Sequence, residues 1–563
     1  MKGGKLVLCC AFWMGATVAA WAQLDPQGAY KKKYVAFGFE CAYLTPQDYI
    51  DHVAEFEKSP LDGVNVHILG NAEKGRPYQA FRGIAGKPAL SKESLSDMVE
   101  PLRKMTAYPC FRESFLSGWY PPKKRIAWDD DAMWAVVSNN LANVAWLAKA
   151  GNMRGMAWDV EDYTGQKQFF RVPGDPDYKT LVNLARRRGR EIFGGIFAEY
   201  PEITMFMFWI CSNATYRHIE TDPLGILCDR GDLWWAFVNG ILDVIPPTAT
   251  LVDGDEDGYR REAAKGDYLV NYTRVFNWDL PLIVPENRVK YLSQVSPSVG
   301  QYVDMFYGQD DPKSNWYFGP VDGSRLNHLV RNVRQATSGS QKYVWFWSEC
   351  GGWAHWSKEL RADPERLNRK VKYVWDDVLP GINNRLKAVK DPGGFLAPRL
   401  NRLIAEGKLK DVFGGKPYGT WKADAPKGKD GKAPPAPGEL KVGENGDMRA
   451  QGILYSGCFL QVMENVKPGT IYYVKGRVRG PYARVNVDFK NDQGRYFYEP
   501  KVQITPRKAG ADGWREVIGF FEVHPQARSV QIALGISGQS PEDVAEFRDF
   551  GVYNVSDCKE WQK

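Results

Sequence analysis

Two carboxylates two residues apart end a short apolar run in Arg154-Gly-Met-Ala-Trp-Asp-Val-Glu-Asp-Tyr163. Read as a strand, the run points Asp159 and Glu161 to one face and Val160 to the other, because successive strand residues alternate. Burying two same-side acids is costly unless they have a partner or a chemical role. An ion pair with Arg154 is the plain explanation. Recurrence favours a chemical role, since polar residues close one apolar segment after another along the chain. Glu40 ends the first, His67 the second, and Arg112 and Glu113 the third. Asp159 and Glu161 end the fourth, and Ser212 and Asn213 follow the fifth. The run Asp253-Gly-Asp-Glu256-Asp257 follows the sixth, Tyr307 the seventh, and Trp347 and Glu349 the eighth.

An acidic and aromatic set of this kind suits cleavage of glycosidic bonds. Most enzymes of that class need two carboxyl groups across an oxocarbenium-like transition state, one as acid and the other as nucleophile or base. Crowded carboxylates also raise one another's pKa, which keeps an acid protonated near neutral pH. The catalytic candidates are Asp159 or Glu161 as one partner and Asp253 or Glu256 as the other. Trp209, Tyr307 and Trp347 would shape the sugar subsite, with Glu40, His67, Arg112 and Glu349 as hydroxyl ligands. For any one of these auxiliary residues a core aromatic or a structural ion pair is an equal reading. The set holds one histidine and no metal-ligand spacing beyond the carboxylates, so no metal centre or cofactor is called for. Two other functions use the same residues. One is glycan recognition on a barrel without catalysis, and the other is metal-assisted chemistry with Asp253–Asp257 holding a hard cation.

The elements that must carry these residues alternate. Strands are expected at residues 34–40, 63–69, 105–111, 154–161, 203–210, 248–253, 301–307 and 343–348. Helices are expected at 46–56 with Thr45 as N-cap, and at 131–150, 179–200, 232–244, 325–336 and 364–383. Near-continuous apolar strands alternating with helices imply a parallel sheet covered by helices. Eight such units imply an α/β fold of the (β/α)8 TIM-barrel type, with catalytic residues at the C-terminal ends of the strands. No glycine-rich phosphate loop follows the first strand, which speaks against a doubly wound sheet. Beyond about residue 410 the helical periodicity stops. A Lys/Pro/Gly/Ala-rich stretch runs from 422 to 438 and reads as a loop or linker. Short alternating segments follow at 459–463, 471–478, 484–489, 514–523, 530–536 and 545–554, a β-sandwich pattern.

Residues 1–22 read as a secretory signal, with Lys2 and Lys5, an apolar run over 6–20, and Ala20-Trp-Ala22 as the cleavage signal. The expected organisation is therefore signal 1–22, barrel 23–410 and sandwich 411–563, in a periplasmic or extracellular protein. No later segment is long and apolar enough for a membrane span. The formal charge of +7, two of it in the signal's lysines, is mild and does not suggest nucleic acid. Oligomeric state is not legible. Seven of the nine cysteines lie beyond the signal, at 41, 110, 211, 228, 350, 458 and 558. Odd in number, scattered and without CxxC, they read as small buried thiols rather than a disulfide framework or zinc site. The 20 tryptophans are an excess suited to stacking on sugars.

Carboxylates on strands four and six of an exported barrel, followed by a sandwich, resemble TIM-barrel glycoside hydrolases. The α-galactosidase and α-glucosidase superfamily places an Asp nucleophile after strand four and an Asp acid/base after strand six, which implies Asp159 with Asp253 or Asp255. Chitinase-type enzymes end strand four in D-x-D-x-E. Asp159-Val-Glu161 is similar to its last half, with Ala157 where the first Asp is expected. The tail resembles jelly-roll carbohydrate-binding modules, through Gln461-Val-Met463, Val466-Lys-Pro-Gly-Thr-Ile-Tyr-Tyr473, Trp514-Arg-Glu516 and Ala545-Glu-Phe-Arg-Asp-Phe-Gly-Val552. That resemblance implies Trp421, Tyr455, Tyr496 and Tyr498 as stacking candidates, and Tyr472, Tyr473 and Trp514 as core.

Overall fold

The computed structural model describes residues 32–71, 77–79, 89–119, 122, 124–161, 165–212, 222–268, 270–364, 366–423, 438–497, 502–556 and 558. These form two compact units, one extending to Lys390 and the other beginning at Asp391.

The first unit is built on nine parallel strands: β1 (Lys33–Gly38), β2 (Gly63–Val66), β3 (Phe115–Trp119), β4 (Gly155–Trp158), β5 (Thr204–Met207), β6 (Thr250–Asp253), β7 (Val295–Pro297), β8 (Val299–Tyr302) and β9 (Tyr343–Ser348). The hydrogen-bonded order is β8-β9-β1-β2-β3-β4-β5-β6-β7. The two ends of that order, β7 and β8, are one stretch of chain interrupted at Ser298. Its backbone N–H donates to Asp253 on β6 at 2.8 Å, and its hydroxyl donates to the Tyr343 carbonyl on β9 at 2.8 Å. One serine therefore bridges the sheet's two sides, and the barrel comes nearly closed. Pro297 lacks an N–H, which fits it to the point where the ladder changes partner.

The expected (β/α)8 architecture is present, with three corrections. The helix expected over 364–383 is instead a strand at Tyr373–Val374 followed by helices at Trp375–Val378 and Ile382–Lys390. Residues 105–111 are not the third strand. The chain is helical over Val99–Thr106 with Leu102 and Met105 buried on one side, then turns through Pro109–Phe111. The strand is the later β3. The expected seventh strand is β8 followed by a 3-10 turn over Val303–Phe306.

Along β9 the side chains of Tyr343, Trp345 and Trp347 fall on one face by alternation, and they mark three levels of the barrel interior. At the bottom, Tyr343 packs on Phe115 and Phe206 at centroid distances of 5.7 and 5.8 Å. In the middle, Trp345 stacks on Phe208 at 4.7 Å and meets Phe37 edge-on at 5.5 Å. At the top, Trp347 faces a cavity. The aromatic floor is packed; the opening lies above it.

Helices α1 (Asp131–Ala150), α2 (Tyr178–Glu199) and α3 (Trp234–Val244) cover β4–β6. Asp130 and Asp177 cap the first two by accepting from Met133 N at 3.0 Å and Thr180 N at 3.1 Å. α2 and α3 meet backbone to backbone: a Cβ on Gly240 would lie 2.1 Å from the Arg186 carbonyl oxygen. Gly155 is required in β4 for the same reason, since a Cβ there would lie 1.8 Å from the Thr204 oxygen.

The second unit carries short helices Pro392–Phe395 and Ala397–Ala405, then two five-stranded antiparallel sheets. One holds Gly419–Lys422, Gly457–Glu464, Ser529–Ile536, Ala483–Lys490 and Val502–Ile504; the other holds Glu439–Val442, Met448–Gln451, Val544–Asn554, Ile471–Arg479 and Arg515–Glu522. Alternate residues turn inward, so Phe459 of one sheet meets Phe547 of the other at 5.8 Å. This is the expected sandwich. Among the described residues, no helix is long and apolar enough to cross a membrane.

Candidate active site

Above the aromatic floor lies a cavity of about 520 Å3, lined by Glu161, Trp209, Glu256, Asp257, Tyr259, Arg260, Tyr302, Gln309, Trp316, Trp347 and Glu349. Every one of these follows or ends a barrel strand, so the cavity sits at the end of the barrel where parallel strands finish.

β4 stops at Trp158 and the chain turns there. The Asp159 side chain accepts from Glu161 N at 2.9 Å, a local turn that fixes Glu161 while Val160 packs back on the core. Strand alternation therefore ends before the acids, and this turn sets their direction instead. Trp158, stacked on Trp119 at 4.9 Å with nearly parallel rings, anchors the strand below.

The loop after β6 is held more tightly. Gly254 and Glu256 donate from backbone N–H to the carbonyls of Met207 (2.8 Å) and Phe208 (3.1 Å). Trp345 Nε1 donates to the Gly254 oxygen at 2.7 Å. A Cβ on Gly254 would come within 2.7 Å of the Met207 oxygen. Asp255 takes a left-handed φ of 46°, stabilised because its buried carboxylate pairs with Arg261 and, at 3.1 Å, with Arg274. That lock turns the next side chain, Glu256, into the cavity.

The result is a crowd of acids. Burial raises Glu161, and Asp257 raises it further. Burial likewise raises Glu256 well above the usual carboxylate range, reinforced by Glu161, Asp159 and Asp257, with the nearby Tyr259 hydroxyl offsetting part. Burial and Glu161 raise Asp159. Glu256 Oε2 is buried without a hydrogen-bond partner among the described residues. Burial and mutual repulsion thus both favour the protonated form within this cluster.

The other sequence candidates are distributed as follows. Asp253 is wholly buried and outside the cavity. It accepts from the Ser212 hydroxyl at 2.5 Å and from the Cys211 and Ser212 N–H groups at 3.2 Å. Burial pushes it up to about 6 even so. Glu40 is also buried, accepting from Trp353 N at 2.9 Å and Trp356 Nε1 at 2.8 Å; burial pushes it up to about 7. It holds the chain after β9 and does not line the cavity. His67 is tied to Ser117 Oγ at 3.0 Å and Asn65 at 3.1 Å. Arg112 is exposed and precedes β3, so it lies at the end of the barrel where strands begin. Its expected place at the cavity end depended on a strand over 105–111, which the chain does not form. Tyr307 packs edge-on against Tyr373 at 5.1 Å and is not a lining residue. Trp209, Trp347 and Glu349 do line the cavity, with Glu349 3.2 Å from Lys370. Arg154 pairs with Glu113 at 3.7 Å and not with the acids of its own strand.

Lining residues not picked from sequence are Tyr259, Arg260, Tyr302, Gln309 and Trp316. The last two ride on the loop after β8. Arg325 clamps that loop, donating to the carbonyls of Gln309 (2.7 Å), Met305 (2.9 Å) and Phe318 (2.9 Å). Tyr302 meets Trp316 edge-on at 5.7 Å. Only the aromatic richness of 299–318 marks the stretch that carries Tyr302, Gln309 and Trp316, and no sequence signal marks Tyr259 or Arg260.

In the second unit, Trp421 and Tyr496 are 52% and 48% exposed. Trp421 stands opposite Cys458 at one edge of its sheet. Tyr496 donates to Gln531 at 3.0 Å. Tyr455 is also exposed, whereas Tyr472, Tyr473 and Trp514 are buried. Asn213, Tyr498, residues 1–31 and most of the basic stretch (424–437) lie outside the described residues. Among the described residues, no group of three His, Cys, Asp or Glu is arranged to hold a metal ion.

No family model matches the chain, and no curated protein matches it. Solved structures show partial likeness. The enzymatically active domain of tailspike protein 4 of bacteriophage CBA120 is 9% identical over 26% of this chain and 18% of that chain, with a TM-score of 0.17. The CBM22-1–GH10 modules of the Clostridium thermocellum endo-1,4-beta-D-xylanase 10B, complexed with xylohexaose, are 14% identical over 21% and 24%, TM-score 0.17. The CBM22-1 xylan-binding domain of Paenibacillus barcinonensis Xyn10C is 11% identical over 21% and 81%, TM-score 0.17. The chain thus spans less than a fifth of the tailspike protein's length and about a quarter of the xylanase modules.

Proposed function

We propose that the chain is an exported glycoside hydrolase acting on a poly- or oligosaccharide in the cavity above the barrel floor. One observation carries the reading. Glu161 after β4 and Glu256 after β6 line a single cavity whose walls include Trp209, Tyr302, Trp316 and Trp347. Ring faces pack on the C–H surfaces of a pyranose, and two carboxyl groups supply the acid and its counterpart. Glu256, whose Oε2 is buried without a described partner and which Glu161, Asp159 and Asp257 crowd, is the general acid. It gives its proton to the glycosidic oxygen, which leaves with the electron pair of the broken C–O bond. Glu161 either attacks the anomeric carbon to form a glycosyl ester, which water deprotonated by the now ionised Glu256 then hydrolyses with return of the Glu161 carboxylate, or acts as base and takes the proton of the water that attacks there. Asp159 and Asp257 keep the pair's proton affinity high, and Asp255 with its two arginines holds Glu256 in place.

The test is release of reducing ends from a glycan panel by the full chain, repeated with Glu256→Gln and Glu161→Gln. Each variant is expected to fold and to lose about 10²–10⁴-fold in kcat/KM. Wild-type rates in both would remove the site. Binding of the same glycans without any cleavage would replace the reading by a recognition role.

A further inference from the structure

Arg260 is the single cationic residue among those lining the cavity. Carboxylates line the same space, yet Arg260 forms no ion pair with any described residue. Its guanidinium instead lies over the Trp316 ring, 4.5 Å from the centroid. Trp316 is braced in turn by Tyr302 and by the loop that Arg325 clamps. A side chain meant only to neutralise the neighbouring acids gains most by touching one of them. The ring contact does the opposite: it holds the guanidinium on an aromatic and leaves its N–H edge without a hydrogen bond to any described residue. That edge is a planar fork matched to two oxygens of one anion.

The backbone beneath is equally fixed. Arg260 ends the 3-10 turn Glu256–Arg260. Gly258 packs so close that a Cβ would lie 2.6 Å from Val299 Cγ1, and Arg261 is locked on Asp255. The cation therefore stands four residues from the proposed acid on a rigid turn. Whatever it binds belongs to a sugar at or next to the bond being cut.

We infer that the stacked Arg260–Trp316 pair is a subsite for an anionic substituent, so that the substrate is a charged glycan bearing carboxylate or sulfate. This rests on the hydrolase reading above. Trp316 would carry the sugar ring or its edge, and Arg260 would take the anion in a bidentate pair, with Gln309 on the same wall as a further donor.

The experiment compares the full chain on three oligosaccharide sets: uronate-containing, sulfated and neutral. The wild type is expected to favour one of the charged sets, and which one identifies the anion. In Arg260→Gln the ratio of kcat/KM on charged to neutral substrate is expected to fall about ten- to a hundredfold, with Arg260→Lys intermediate because charge survives and the fork does not. Melting curves of both variants check folding. Cleavage of neutral glycans with no preference for charge, or a preference unmoved in Arg260→Gln, overturns the subsite while leaving the hydrolase standing. Absence of cleavage on all three sets, with Glu256→Gln indistinguishable from wild type, overturns both.

Discussion

Each end of the barrel holds a carboxylate cluster, one acid among cations at the first and four acids together at the second, and the two are built on opposite principles. Where the strands begin, Glu113 accepts from the Tyr343 hydroxyl at 2.5 Å, with Lys342 at 3.2 Å and Arg154 at 3.7 Å. Burial pushes Glu113 up, but Lys342, Tyr343 and Arg154 outweigh it and hold the carboxyl below its ordinary range. Where the strands finish, Asp159, Glu161, Glu256 and Asp257 crowd one another around an open cavity, and three of them are raised. The first cluster closes a core and is compensated by cations. The second sets like charges side by side at an opening to water, an arrangement that costs stability and suits a group that must give or take a proton.

Removing one carboxylate from each end is the sharpest way to break this contrast. Glu256→Gln is expected to lose activity by the orders of magnitude given above with no loss of melting temperature, because it relieves repulsion. Glu113→Gln should do the reverse, costing about 1–3 kcal/mol by urea unfolding of the barrel and leaving kcat/KM within about threefold. Equal loss of activity in both would erase the distinction.

Stability against pH sharpens it further. Glu113 has a depressed pKa, so its contribution is present above the unfolded value and lost as pH falls through the folded one. The cavity acids have raised values. Their contribution is full below the ordinary carboxylate range and is lost as pH rises through their folded values. Above the ordinary carboxylate range the wild type should therefore lose stability as pH rises toward the Asp159 value of about 8, and Glu256→Gln should flatten that slope. An unchanged slope would mean the crowd does not titrate as described.

The smallest effect expected is at Asp253. Asp253→Asn turns an amide N–H2 toward the Cys211 and Ser212 donors, and should cost about 1–2 kcal/mol while slowing turnover by less than about tenfold. A loss as large as that of Glu256→Gln would shift the chemistry from the loop to the strand end.

The alternation of strand and helix is legible in the sequence because each element carries its own periodicity. The third strand is not. The apolar residues Leu102, Met105 and Phe111 belong to a helix and the turn after it, while the true strand, Phe-Leu-Ser-Gly-Trp, carries a serine and a glycine. The split seventh strand hides behind Pro297 and two serines. At the site, Glu161 and Glu256 sit on segments whose acidic ends stand out in sequence. Asp253 and Glu40 look the same in sequence, but their fate depends on partners 41 and 313 residues away. No local pattern records whether a carboxylate faces a hydroxyl and two amides or an empty space. Arg260 and Trp316 are illegible for the same reason, since only the folded loops stack them.

The pairing of β1 with β9 also bears on synthesis. β1 pairs with β9, Lys33 against Tyr343, so the first strand made waits for the last. At roughly 5–20 residues per second that wait is on the order of 15–60 s, during which one edge of β1 has no neighbour. An unpaired apolar edge invites pairing with other chains. The ring cannot be assembled piecewise, and a nascent chain halted anywhere before residue 348 is an open, adhesive ribbon.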